Sequence, residues 1–111
     1  MDDRANAEAA TLRLGRGSLY VAAPVYDRYF RGVTAVVLLR DDDALLVMPV
    51  RHAASGGYLL KLRNAAGDRV VNAMDFFREH GVRGDDDRTL TAEWSSQHAA
   101  LRAEGAFEGA N

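Results

Sequence analysis

Apolar residues gather in two runs of strand length in the first half of the chain. VTAVVLLR (33–40) and ALLVMPVR (44–51) are separated by three aspartates, Asp41–Asp43. Because Asp accepts turn dihedrals and bonds to its own backbone, this pattern predicts a β-hairpin with its turn at the aspartates. The runs do not alternate with polar residues, so we expect both faces of the hairpin to be covered. Pro49 has no N–H to donate, which predicts that the second strand ends, bulges or lies at an edge there.

A second hairpin is predicted further along the chain. YLLKLR (58–63) and RVVNA (69–73) flank the turn sequence NAAGD, in which Gly67 can take a positive φ. An earlier segment, SLYVAA (18–23), also has the composition of a strand.

The segment PVYDRYFRG (24–32) has the spacing of a short helix. Its proline suits the first helical position and its final glycine the position just past the end. Tyr26, Tyr29 and Phe30 lie at i, i+3 and i+4 and share one face. These aromatics fit either the core or a contact with another subunit.

A second helix is predicted over NAMDFFREHG (72–81). Asn72 is a suitable N-cap, and Asp75 three residues later can return the contact as in a capping box. Gly81 should stop the helix and Val82 should fold back onto it, as in a Schellman motif. The apolar stripe of this helix consists of Ala73, Phe76, Phe77 and His80.

The segment RTLTAEWSSQHAALRAEG (88–105) is ambiguous. A helix would place Leu90 and Trp94 on one face. A strand is indicated instead by the alternation of Leu90, Ala92 and Trp94, with one of the following serines then capping a helix. We favour a strand followed by a helix.

These elements predict a small, single-domain α+β fold. Two β-hairpins form a mainly antiparallel sheet, which packs with two or three short helices. The domain is expected over residues 13–104. Residues 1–12 are expected to be a disordered or frayed N-terminal tail, and residues 105–111 a C-terminal tail.

Composition narrows the class of protein. The 111 residues contain no cysteine, which rules out disulfides, thiolate metal sites and a cysteine nucleophile. The opening MDDRANAEAA lacks the basic and apolar regions of a signal peptide. The longest apolar run is far short of the roughly 20 residues that span a membrane. We therefore expect a cytoplasmic protein without a membrane segment.

Charge argues against general nucleic-acid binding. The formal net charge is −2 and the pI is about 5.9. A positive surface field would have to arise from local clustering alone. The chain has thirteen arginines but one lysine, Lys61, and we interpret this bias as a GC-rich coding preference.

Neither the acidic residues nor the histidines predict a metal site. The carboxylates of Asp41–Asp43 and Asp85–Asp87 are consecutive, so they point apart, and the spacing of a calcium loop is missing. No two of His52, His80 and His98 are three or four residues apart. We expect solvated acidic turns, a histidine at the core edge of the second helix, and no metal or cofactor.

The loop HAASGG (52–57) is the candidate ligand-binding site. Its serine and two glycines could turn backbone N–H groups toward one anion, and flanking arginines and a histidine would add charge. Catalysis by its serine and histidine is disfavoured, because the G-x-S-x-G pattern and an orienting carboxylate are missing. The candidate residues are Arg51, His52, Ser55, Gly56, Gly57 and Arg69.

The stretch GDRVVNAMDFFREHGV (67–82) resembles part of the swapped-hairpin transcription factors of the AbrB kind. In that family a G-R-x-V-x-I-P pattern precedes a short helix. The resemblance covers less than a quarter of the chain, and Asn72-Ala73 stands where the family has its helix-opening proline. It implies DNA binding.

Three functions are therefore considered. The leading one is a small non-catalytic interaction or accessory protein that forms a homo-oligomer, most simply a two-fold dimer, with Tyr26, Tyr29 and Phe30 at the interface. The alternative is a small-ligand or anion-binding domain that uses the 52–57 loop. DNA binding is the third and least favoured, because the charge balance is acidic.

Overall fold

Strands dominate the computed structural model, which describes residues 9–51 and 56–109. Within these ranges the chain forms nine strands and two short helices. The strands are β1 (Ala9–Gly15), β2 (Ser18–Val21), β3 (Ala35–Asp41), β4 (Ala44–Val50), β5 (Tyr58–Leu59), β6 (Lys61–Leu62), β7 (Arg69–Asn72), β8 (Asp87–Ser95) and β9 (Ala100–Ala103). The helices are α1 (Ala23–Tyr29) and α2 (Met74–Glu79).

All nine strands belong to one antiparallel sheet that curls until its two ends meet. The strand order is β5-β3-β4-β9-β8-β1-β2-β7-β6. The two outermost strands, β5 and β6, are separated in the chain by Leu60 alone. The segment 58–62 therefore pairs with β3 through its first half and with β7 through its second. This continuity makes the sheet a nearly closed, barrel-like structure.

The predicted α+β fold is wrong. The fold is mostly β, with 47% of the described residues in strands and 13% in helices. The helix expected after Trp94 is a turn followed by β9. The segment forms two strands and not a strand and a helix, because this arrangement brings four of its apolar side chains into the core. These are Leu90, Ala92, Leu101 and Ala103. The helical spacing in this segment is incidental.

Both expected tails overlap packed structure. β1 begins at Ala9, lies between β8 and β2, and buries Ala10, Leu12 and Leu14. At the other end, the side chain of Phe107 is fully buried, and its backbone N–H donates to the carbonyl of Asp43. The expected boundaries at 12 and 105 therefore fall inside the packed unit.

Both predicted hairpins are present. β3 and β4 join at the aspartates, where Asp42 has a φ of 59°. Pro49 pairs with Val36 on β3, but the pairing of β4 with β9 stops at Val47, so the proline sits where β4 has no second neighbour. The second hairpin pairs β6 with β7, as Lys61 does with Val70. Pro49 thus meets the edge condition expected of it.

The end of α2 confirms the sequence prediction and its beginning does not. The N–H of Val82 donates to the carbonyl of Phe77 at 2.9 Å, and that of Gly81 to Arg78 at 3.1 Å, which is the Schellman pattern. Asn72, however, belongs to β7, and its Oδ1 accepts the hydroxyl of Ser18 instead of capping the helix. Because β7 pairs with β2, Asn72 is part of the sheet and does not cap α2.

Asp75 also bonds elsewhere than expected. Its carboxylate oxygens accept the Tyr58 hydroxyl, each at 3.2 Å. Burial, followed in size by this hydrogen bond, raises the pKa of Tyr58 above its ordinary value of 10.0.

The helices close opposite ends of the sheet. β2 and β7 are antiparallel, with Ser18 opposite Asn72 and Val21 opposite Arg69. α1 follows the end of β2 and α2 follows the end of β7, so they start at opposite ends of the strands. α1 begins at Ala23, so Pro24 is its second residue and not its first as predicted. The core between them contains Leu12, Leu14, Leu19, Val21, Tyr26, Phe30, Leu45, Val47, Leu60, Val71, Phe77, Leu101 and Phe107.

The tight turn between β1 and β2 favours glycine at position 17. Arg16 and Gly17 have φ values of 54° and 75°, the two positive values of a type I′ hairpin turn. A Cβ atom on Gly17 would lie 2.9 Å from the Cα of Met74 at the start of α2. Both the backbone conformation and the approach of α2 therefore favour glycine.

Gly17→Ala is predicted to destabilise the protein by about 1–2 kcal/mol, because alanine is strained at positive φ and its methyl group meets α2. Gly84→Ala is the matched control, since a Cβ there meets nothing within 4 Å, and it should change stability by less than about 0.5 kcal/mol. Urea unfolding of the three proteins measures the difference. Equal midpoints for the two variants would contradict this account of the turn.

Candidate functional site

The outside of the sheet has a polar side and an apolar side. On β1 and β8, the residues that point outward between core positions are polar and exposed, among them Thr11, Thr89 and Thr91. On β3, β4 and β5 the corresponding positions are apolar, and we call this surface the apolar face. It consists of Val37, Leu39, Leu46, Met48, Val50 and Leu59, which alternate with core residues.

The apolar face is only partly shielded by its own side chains. Leu46 is 4% exposed, between Leu39 on β3 and Arg102 on β9. Leu39 and Leu59 are 42% and 52% exposed. The continuous apolar runs of the sequence thus predicted two covered faces, whereas the structure leaves parts of the outer one open to solvent.

A second surface is a pocket built from arginine and tyrosine, which we call the Arg–Tyr pocket. The guanidinium carbons of Arg13 and Arg63 lie 4.3 and 4.8 Å from the centroid of the Tyr20 ring. Arg69 lies 3.9 Å from the centroid of Tyr26 and also lines the pocket. The cavity measures about 290 Å³. Cation–π contacts of this kind hold guanidinium groups in place while leaving their N–H groups able to donate.

The β6–β7 turn positions this pocket. Asn64 Oδ1 accepts the backbone N–H groups of Ala66 and Asp68, and Asn64 Nδ2 donates to the Asp68 carboxylate. The other carboxylate oxygen accepts the N–H of Ala23 at 2.8 Å, which ties the turn to α1. The bond from Asn64, followed by the one from Ala23, lowers the pKa of Asp68 below its ordinary value of 3.8.

Four of the six residues predicted to bind an anion lie in the described part of the chain, and one of these four lines the Arg–Tyr pocket. His52 and Ser55 lie outside the described residues. Arg69 lines the Arg–Tyr pocket, whereas Arg51, Gly56 and Gly57 do not. The two glycines have backbone roles. Gly56 has a φ of +93°, and a Cβ on Gly57 would lie 2.8 Å from the carbonyl oxygen of Val36.

The aromatic residues considered for an interface belong largely to the core. Phe30 is fully buried and Tyr26 is 9% exposed, with its hydroxyl donating to the carbonyl of Val33. Tyr29 is half-buried and stacks on Trp94, with ring centroids 5.8 Å apart and planes 6° apart. Phe30 and Tyr26 thus offer little surface to a partner.

The fold also assembles a serine, a histidine and an aspartate that sequence reasoning missed. Ser95 Oγ lies 2.9 Å from His98 Nδ1, and His98 Nε2 lies 3.9 Å from Asp41 Oδ2. Three features favour a structural role: the last distance is too long for a hydrogen bond, Arg102 shares the same carboxylate oxygen, and Ser95 Oγ accepts the N–H of His98 within one turn. This group fastens the β8–β9 turn to β3.

Neither a metal site nor a membrane helix is found in the described part of the chain. No cluster of three or more histidine, aspartate and glutamate residues in residues 9–51 and 56–109 could hold a metal ion. His80 packs against Phe76 and Phe107, at the core edge expected for it. The helices in the same ranges are too short and too polar to cross a membrane.

Comparisons of the chain with protein-family models, curated proteins and solved structures find no match. The local resemblance to swapped-hairpin transcription factors gains no support from them. Its strand is β7, which pairs with β2 and β6 of the same chain. Function is therefore inferred from the two surfaces themselves.

The bond between Asp68 and α1 should depend on pH. A depressed folded-state pKa means that this contact adds stability above the unfolded pKa, and that the stability is lost as pH falls through the folded value. We predict that the Asp68 carboxyl carbon titrates below 3.8, its ordinary value, and that the Ala23 amide signal shifts in parallel. NMR titration from neutral to acidic pH measures both, with Asp68→Asn as the control whose Ala23 signal should lose this transition. A carboxyl midpoint at or above the ordinary value would contradict the contact.

Proposed function

We propose that this chain is a small non-catalytic interaction protein that forms a homodimer through its apolar face. The observation that carries the proposal is the contrast between the two outer sides of one sheet. The side formed by β1 and β8 has the polar residues of an ordinary solvated surface, whereas the side formed by β3, β4 and β5 exposes Leu39 and Leu59. A grouped apolar surface on a small protein is a common mark of an interaction site.

A second copy is the occupant that the geometry favours. The apolar face is a sheet surface, and two sheet surfaces pack face to face with their strands nearly aligned. A two-fold axis lets the same surface meet itself without a second complementary site elsewhere. Its border carries charge, with Arg102 opposite Leu46 on β9 and Lys61 next along the chain from the closing residue Leu60. An apolar centre with a charged rim is the usual anatomy of such interfaces.

The other functions have weaker support. Anion binding by the 52–57 loop stays the alternative, with Gly56 and Gly57 also explained by a positive φ and by a close approach to Val36. DNA binding is opposed by the net charge of −2. Catalysis by Ser95 is opposed by the turn geometry that occupies its hydroxyl. We place the protein in the reducing cytoplasm, because a chain without cysteine needs no oxidising compartment.

The proposal predicts a dimer of the 12.1 kDa chain at concentrations of tens of micromolar. The double variant Leu39→Lys, Leu59→Lys should be monomeric, because two charges would be buried without partners. Met74→Lys is the matched control: Met74 is 54% exposed and lies on α2, against Gly17 in the turn between β1 and β2 and not on β3, β4 or β5. Sedimentation equilibrium and light scattering measure the masses, and circular dichroism confirms that each variant is folded.

A monomer mass for the parent protein at several hundred micromolar would overturn the proposal. The apolar face would also be the wrong interface if the folded double variant stayed dimeric. Loss of the dimer in Met74→Lys alone would move the interface to α2.

A further inference from the structure

We propose that the Arg–Tyr pocket binds the phosphoryl group of a small organic phosphate monoester. The pocket lies outside the apolar face, and neither Gly56 nor Gly57 is among its described lining residues. Its cationic residues come from distant parts of the chain: Arg13 from β1, Arg63 from the end of β6, and Arg69 from β7.

Two of the three guanidinium groups each make a hydrogen bond and a cation–π contact. Arg13 donates to the Asp87 carboxylate at 3.3 and 3.4 Å and packs on Tyr20. Arg69 donates to the carbonyl of Gly67 at 2.6 Å and packs on Tyr26. Each guanidinium has five N–H groups, so both retain donors beyond these contacts.

Of the three arginines, Arg63 has the most side-chain N–H groups without a hydrogen-bond partner among the described residues. Its guanidinium packs on Tyr20, but within residues 9–51 and 56–109 its side chain makes no hydrogen bond and no ion pair. Its backbone N–H is fixed to the carbonyl of Asp68 at 2.8 Å, so the side chain starts from a defined position. The Asp68 carboxylate interacts with the charge of Arg63, but among the described residues no acceptor bonds the guanidinium, which therefore keeps donors with which to bind an anion.

The charge of the pocket favours an anion. Three arginines line it, and Asp68 is the single carboxylate among its described lining residues. Both oxygens of Asp68 accept hydrogen bonds, from Ala23 and from Asn64, so this carboxylate is directed into the turn. Asp87 lies at the border and pairs with Arg13. The cationic groups therefore outnumber the acidic ones where a ligand would sit.

A phosphate monoester fits this arrangement better than a carboxylate. One guanidinium can satisfy a planar carboxylate through two parallel hydrogen bonds, whereas a tetrahedral phosphoryl group accepts donors from several directions. Thr11 and Thr89 add hydroxyl groups to the lining, and the exposed Ala22 adds apolar atoms against which an organic substituent can pack. The volume of about 290 Å³ suits a small ligand.

The test is calorimetric titration with phenyl phosphate at pH 7.5 and low salt. We expect saturable binding that Arg63→Gln weakens about tenfold or more, as loss of a charge-assisted hydrogen bond does. Arg83→Gln is the matched control, because the Arg83 side chain is 79% exposed in another turn and pairs with Asp85; it should bind as the parent does. Affinity should fall as pH is lowered through the second ionisation of the ester, near about 6. Inorganic phosphate should compete, and benzoate should bind at least about tenfold more weakly.

Three results would overturn the proposal. If phenyl phosphate does not saturate the protein by about 10 mM, its binding free energy is weaker than about 3 kcal/mol. That result would contradict the existence of the site. Equal affinity for benzoate would remove the preference for phosphate. Unchanged affinity in folded Arg63→Gln would place the ligand elsewhere. None of these outcomes depends on whether the protein dimerises.

Discussion

Closure of the sheet at Leu60 is the constraint on which the rest of the structure depends. The N–H of Leu60 donates to the carbonyl of Thr34 at 2.8 Å on the β3 side, and the next residue, Lys61, pairs with Val70 on the β7 side. One short segment therefore satisfies two sheet edges that would otherwise expose unpaired backbone groups. The Leu60 side chain, 6% exposed, points into the core that this closure creates.

Because the sheet is nearly closed, it encloses a single hydrophobic core. The strands supply alternating core residues such as Leu12 and Val47, and the ends of the sheet are filled from the helices by Phe30 and Phe77. Phe107 completes the end at α2, where it packs against Phe77. Each helix thus covers one end of the sheet, which is why it is short and follows a strand directly.

Closure also decides which residues remain for function. Once the inward positions are used for the core, the outward positions of β3, β4 and β5 are apolar and those of β1 and β8 are polar. The β6–β7 turn then places Arg63 over Tyr20. The two surfaces are separate consequences of one architecture, so the proposals of self-association and of ligand binding rest on independent observations.

Sequence patterns predicted local elements better than the architecture. The β3–β4 hairpin and the Schellman end of α2 were correct, because aspartates and glycine act within a few residues of their own position. β1 was missed because Ala9 and Ala10 carry a weak hydrophobic signal, although Leu12 and Leu14 show the alternation. Asn72 was misassigned because its partner, Ser18, is 54 residues away.

The same limit applies to the candidate sites. The sequence made Arg69 a candidate ligand-binding residue, which stays a prediction. The other two arginines of its pocket were not candidates, because strand pairing alone brings Arg13 near Tyr20 and then Arg63. The apolar runs predicted buried strands, yet which outward residues stay exposed depends on neighbours such as Arg102 that the pattern does not contain.

The central claim is that closure leaves one apolar outer side, which a second copy covers. NMR with a soluble paramagnetic agent tests it most directly, by comparing methyl signals at low and high protein concentration. The account predicts that the methyl groups of Leu39, Met48 and Leu59 become shielded from the agent as concentration rises, while those of Thr11 and Thr91 stay equally accessible. Equal accessibility of both sides at every concentration, or shielding of the threonine side instead, would contradict it.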